Sequence, residues 1–214
     1  MPYLMRSPQE CASWTWELES AGQDLGSVLA TAARISSVFR DHGLLRPNRL
    51  AWGWFVFGEG QLRGSAQISL MGLELDSVTL AEEIQRYRPV GIPKAHARTV
   101  SLRGPGVWID ADGTERQEDT LVELIVHHDR TGVAADVSVH HDIWMPVDFA
   151  GVPHPAVYAA NAPRLESALR AVEAELGVPA EPGEGTYFGI ADGYGLAEPE
   201  LDDNGRGPDL TDHL

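Results

Sequence analysis

The string His-His-Asp occurs twice, at His127-His128-Asp129 and at His140-His141-Asp142, and the stretch between the copies limits what this chain can become. Asp129-Arg130-Thr131-Gly132 supplies turn-forming Asp and Gly between two alternating apolar runs, residues 120–128 and 133–141. Period-two alternation on both sides of a short polar turn specifies an antiparallel hairpin. With Arg130 and Thr131 at its tip, His128 faces Val133 and Leu121 faces His140. Val122, Leu124 and Val126 then share the core face with Ala135, Val137 and Val139. Glu123 and Asp136 fall on the other face, expected to lie nearer solvent.

The same register bears on metal chemistry. His127 lies six strand residues from the level of His140, which is about 20 Å at ~3.3 Å per residue. One ion needs its donors at ~2–2.6 Å. The repeated string therefore marks the two ends of a hairpin, and no metal or other cofactor is expected. His-x-Asp with a distant third His is the facial pattern of non-haem iron enzymes. After Asp142, however, only His154 and His213 remain, in a Pro-rich and a terminal segment. His128 and His141 read as strand-end residues at the rim of the core, His127 and His140 as solvent-facing. The competing reading is a metal-dependent enzyme using His127, Asp129, His140 or His141 with a ligand from elsewhere in the fold.

The remaining segments extend the pattern. Residues 13–19 alternate, with Trp14, Trp16 and Leu18 on one face, as a strand does. Asp24 is placed to cap a helix whose stripe is Leu25, Val28, Leu29, Ala32, Ile35 and Phe39, ending before Gly43. Residues 50–57 and 62–70, joined across Gly58-Glu59-Gly60, read as a second hairpin. Ser77 or Thr79 caps a short helix through Tyr87, with Glu82 or Glu83 as an acidic first turn. Residues 98–103 and 107–110 are strands, and Asp112-Gly113 is a turn. Asn161 reads as the cap of a last helix, with Pro163 in its first turn and Gly177 after its end. Paired Trp14/Trp16 and Trp52/Trp54 read as core aromatics; an exposed anchor for a partner is the alternative. Seven or more strands, mostly in hairpins, with about three helices imply an α+β fold with a mainly antiparallel sheet. Residues 1–178 read as a single α+β domain. Residues 179–214 read as an acidic Gly/Pro-rich C-terminal segment, partly docked: Tyr187-Phe188-Gly189-Ile190 can dock on the body, and Glu198 onward reads as loop or tail.

Charge narrows the function classes. The chain has 32 acidic and 16 basic residues, a formal charge of −16. Such a surface repels phosphates, and no local basic stripe offsets it, so nucleic-acid binding is not expected. Residues 179–214 alone hold nine acids against Arg206, half of the excess. Glu200-x-Asp202-x-Asn204-Gly205 resembles a calcium loop but has Thr211 where the final Glu belongs. The only cysteine, Cys11, excludes an intrachain disulfide and suits a reducing compartment. No apolar run approaches the ~20 residues that span a bilayer, and no leader is apparent. The expectation is a cytoplasmic protein without membrane contact. Nucleophile elbows, zinc-protease helices, phosphate loops and dinucleotide fingerprints are all missing from the sequence, so no catalytic residue is assigned. What remains is a non-enzymatic binding protein, of the immunity or inhibitor type, for a basic protein partner. Glu198, Glu200, Asp202, Asp203 and Asp209 are its candidate partner-binding residues.

Overall fold

The computed structural model describes residues 4–19 and 21–214. Its centre is a seven-stranded antiparallel sheet, ordered β3-β2-β4-β7-β8-β1-β9. These strands are β1 (Ala12–Leu18), β2 (Arg49–Val56), β3 (Gly60–Ser69), β4 (His96–Arg103), β7 (Val122–His128), β8 (Val133–Val139) and the two-residue β9 (Glu181–Pro182). Two small hairpins flank it, β5 (Gly106–Ile109) with β6 (Glu115–Glu118), and β10 (Ala191–Asp192) with β11 (Gly195–Leu196). Three helices, α1 (Leu25–Asp41), α2 (Val78–Arg86) and α3 (Pro155–Leu176), complete the α+β fold.

The hairpin read from the two histidine strings is present with the expected register. His128 pairs with Val133 and Val122 with Val139. Asp129 makes the turn. Its carboxylate accepts from the N–H of Thr131 at 2.7 Å and of Gly132 at 3.3 Å, and from the Thr131 hydroxyl. Val122, Leu124, Val126, Ala135, Val137 and Val139 are fully buried. They pack under α1, which lies across β4, β7 and β8. β1 completes the sheet beside β8, with Trp14 paired to Val137 and Trp16 to Ala135. Trp14, Trp16, Trp52 and Trp54 are all core residues.

Helix starts follow local chemistry. Asp24 accepts from the N–H of Ser27 at 2.8 Å and Ser77 from that of Leu80 at 3.2 Å, which satisfies free first-turn donors. Three expectations need correction. The first turn of α2 carries no acid, because capping by Ser77 puts Glu82 and Glu83 in the second turn. Glu123 is buried rather than near solvent, since Arg6 reaches it at 2.7 Å and Arg103 at 3.2 Å. The third concerns Asn161, which does not cap α3. The helix starts at Pro155, whose missing N–H is harmless there, and runs through Pro163. An interior proline leaves the carbonyl four residues earlier, here on Ala159, without its helical donor; both residues are exposed, which leaves that carbonyl open to solvent. Asn161 is instead fully buried. It accepts from Ile109 N–H at 2.9 Å, and donates to the Ile109 carbonyl at 2.7 Å and the Val157 carbonyl at 2.8 Å. It thereby bolts β5 to α3.

The C-terminal segment is tied to the body at several points. β9 pairs with β1, and Trp14 Nε1 donates to the Gly193 carbonyl at 2.7 Å. Phe188 is buried against Phe149, ring centres 5.4 Å apart. Farther on, Gly207 N–H bonds the Gly151 carbonyl at 3.0 Å and Leu210 N–H the Phe149 carbonyl at 2.7 Å. Among the described residues no helix is long and apolar enough to cross a membrane.

Candidate functional site

Glu198, Glu200, Asp202, Asp203 and Asp209 all lie in the irregular chain after β11, and all five are exposed. Two of them also shape that chain. Asp202 accepts from the N–H groups of Asn204 at 2.9 Å and Arg206 at 2.8 Å. Asp209 accepts from Thr211 N–H at 3.0 Å and its hydroxyl at 2.6 Å. The Arg206 N–H holds the Asp202 carboxyl below its ordinary range, and the Thr211 hydroxyl does so for Asp209.

The two histidine strings sit at opposite ends of their hairpin. His127 pairs with Ala134, whereas His140 lies beyond the last pair, Val122 with Val139. Among the described residues no three His, Cys, Asp or Glu side chains are placed to share an ion. His127 instead faces Asp136 on the sheet's outer face, Nδ1 to Oδ2 3.5 Å, while the Thr15 hydroxyl donates to Asp136 at 2.7 Å. The carboxylate thus lies between hydroxyl and imidazole. In a hydroxyl–imidazole–carboxylate triad the imidazole is in the middle, an order this trio does not have.

The second string ends buried. His141 and Asp142 are each 1% exposed, so His141 is a core residue rather than a rim one. Burial, reinforced by Arg6 and His140, pushes the His141 imidazole down to about 3. Burial pushes the Asp142 carboxyl up to about 7, although Met5 N–H donates to it at 3.3 Å. Its Oδ2 has no partner among the described residues. Cys11 lies nearby, its thiol 3.4 Å from the Ser7 hydroxyl and pushed up to about 12 by burial. Such a thiol is a poor nucleophile at neutral pH.

The first string ends at an open cleft of about 560 Å³. Four segments build it. The end of β2 brings Phe55 and, just beyond, Phe57; the turn there needs Gly58 and Gly60, both at positive φ. The start of β4 brings His96 and Arg98, and the Asp129 turn brings His128 and Arg130. Gln23, ahead of α1, closes one side and donates to the Arg130 carbonyl at 2.7 Å. The Arg98 guanidinium lies 4.9 Å from the Phe55 ring centre and that of Arg130 4.6 Å from Phe57. The His96 and His128 rings stack 6.1 Å apart. Burial, then His96 and Arg98, lowers the His128 pKa. His96, Arg98, Phe55 and Phe57 carried no sequence signal, since no local spacing connects them to His128. The chain matches no family model, no curated protein and no solved structure.

Proposed function

We propose that this chain is a non-enzymatic cytoplasmic binding protein of the immunity or inhibitor type, whose acidic C-terminal surface engages a basic protein partner. One observation carries the reading. The segment bearing Glu198, Glu200, Asp202, Asp203 and Asp209 is held on the body by backbone bonds to Gly151 and Phe149 and by the buried Phe188. A tail that only kept the protein in solution would gain nothing from order, which costs roughly 1–2 kcal/mol per residue fixed. An ordered set of exposed carboxylates presents a defined pattern to a cationic surface and speeds encounter with it.

The test compares wild type with the variant carrying Asp202→Asn, Asp203→Asn and Asp209→Asn. Immobilised protein captures partners from an extract of the parent cells, and the basic protein retained is purified for stopped-flow association at low and physiological salt. The variant is expected to associate more slowly and with a flatter salt dependence, since screening shortens to about 8 Å at physiological ionic strength. Its melting temperature should barely move, because Asn still accepts the turn bonds. Equal rates and equal salt slopes for the two proteins, or capture of no basic protein, would refute the proposal.

A further inference from the structure

The cleft at the first histidine string has chemistry opposite to that of the acidic surface. Its volume, about 560 Å³, is that of a small-molecule site. Arg98 and Arg130 both line it, and neither has a carboxylate partner among the described residues. Arg6, Arg34, Arg86, Arg103, Arg116 and Arg170 all do have one. Nine of the fifteen arginines have no carboxylate partner among the described residues, so what distinguishes Arg98 and Arg130 is that they line one cavity together.

Each cleft arginine has its guanidinium carbon over a phenylalanine ring. A cation–π contact of this kind uses no N–H hydrogen bond to a carboxylate and leaves donors for a ligand. Arg98 uses Nε on the His128 carbonyl at 2.6 Å, which fixes its position and leaves both terminal nitrogens. Arg130 has no side-chain hydrogen bond to any described residue, so its whole fork is open. Two carboxylates lie near, Asp129 in the cleft wall and Asp24; each accepts amide bonds through Oδ1, Asp129 from Thr131 and Gly132 and Asp24 from Ser27 at the start of α1, and neither forms an ion pair with Arg98 or Arg130. Phe57 is 67% exposed, so an aromatic surface beside the guanidinium groups faces solvent.

We infer that this cleft binds a small oxyanion, a carboxylate or phosphate carried on an aromatic body. The oxyanion accepts from Arg98 and Arg130, and the ring lies against Phe57 and the stacked His96 and His128. None of the residues lining the cleft belongs to the acidic segment.

The probes are benzoate, phenyl phosphate and inorganic phosphate, titrated into the full chain labelled at histidine. The readout is the imidazole resonances of His96 and His128. Saturable shifts of both are expected with at least one aryl probe, at an affinity about tenfold or more above that of inorganic phosphate. Whichever aryl probe binds tighter identifies the oxyanion as carboxylate or phosphate. Arg130→Gln removes a side chain with no hydrogen-bonding role in the fold, and should weaken binding about tenfold or more, as loss of a charged hydrogen bond does. Arg98→Lys keeps the charge but loses the fork, and should weaken binding in the same direction. Arg40→Gln on α1 should change nothing. Absence of saturable shifts with either aryl probe, equal affinity for inorganic phosphate, or an Arg130→Gln protein that binds as wild type overturns the inference.

Discussion

His141 and Asp142 are adjacent, equally buried, and displaced from their ordinary protonation in ways that oppose each other as pH changes. The folded state holds the His141 imidazole neutral down to about 3, against 6.5 ordinarily. Between those values the unfolded chain binds a proton that the folded one refuses, so stability rises with pH across that window. The folded state holds the Asp142 proton up to about 7, against 3.8 ordinarily. There the folded chain binds the extra proton, so stability falls as pH rises. At about 1.4 kcal/mol per pH unit, the two windows are worth about 5 and about 4 kcal/mol. They overlap from about pH 4 to 6.5, where the slopes cancel. Asp142→Asn should unmask the His141 slope, making stability climb by up to about 1.4 kcal/mol per pH unit relative to wild type. His141→Gln should do the reverse. At pH 8 Asp142→Asn also removes a buried charge worth about 4 kcal/mol and leaves an unpaired amide costing about 1–3 kcal/mol, a small net gain. Urea unfolding at pH 4.5, 5.5, 6.5 and 8 measures this. Packing changes in either variant offset the curve without tilting it, so the slope is the readout. Stability differences from wild type that do not vary with pH in either variant would refute the reasoning.

Two further substitutions test the fold. Leu124→Ala empties a fully buried site on the central hairpin and should lower unfolding free energy by about 2–5 kcal/mol in the same urea assay. Asn161→Ala leaves the Ile109 backbone groups without their side-chain partner. It should cost about 2–4 kcal/mol and speed amide exchange at Ile109; unchanged exchange there would show that β5 is held by other means.

Much of this architecture was legible because local chemistry and tertiary packing agree. Val122 to Val126 and Ala135 to Val139 alternate because only one face of that hairpin meets α1. Asp24 and Ser77 read as caps because a helix start has free amides whatever surrounds it. The misreadings occur where distant segments decide. Asn161 followed by Pro163 imitates a helix start, and the actual start at Pro155 follows His154, which makes no capping side-chain bond. β6, with the sequence Glu-Arg-Gln-Glu, has no apolar alternation because its side chains are largely exposed. Burial of Glu123 depends on Arg6, 117 residues away. The cleft draws on four segments brought together by strand order alone, so His128 was visible as part of a repeat while His96 and Arg98 were not visible as its neighbours.

The position of β1 in the sheet has a consequence for synthesis. Its seven residues leave the ribosome before the other strands of the sheet, yet Trp14 pairs with Val137 on one side and Pro182 on the other. At about 5–20 residues per second, translation takes on the order of ten seconds to reach β8, and several more to reach β9. During that interval α1 and the β2–β3 hairpin can form from neighbouring sequence. Trp14 and Trp16 have no strand beside them to bond. The nascent chain therefore carries two tryptophans on an unpaired strand until most of it has emerged. An unpaired strand carrying apolar side chains is open to pairing with other chains, so release before β8 is made would favour aggregation at that strand.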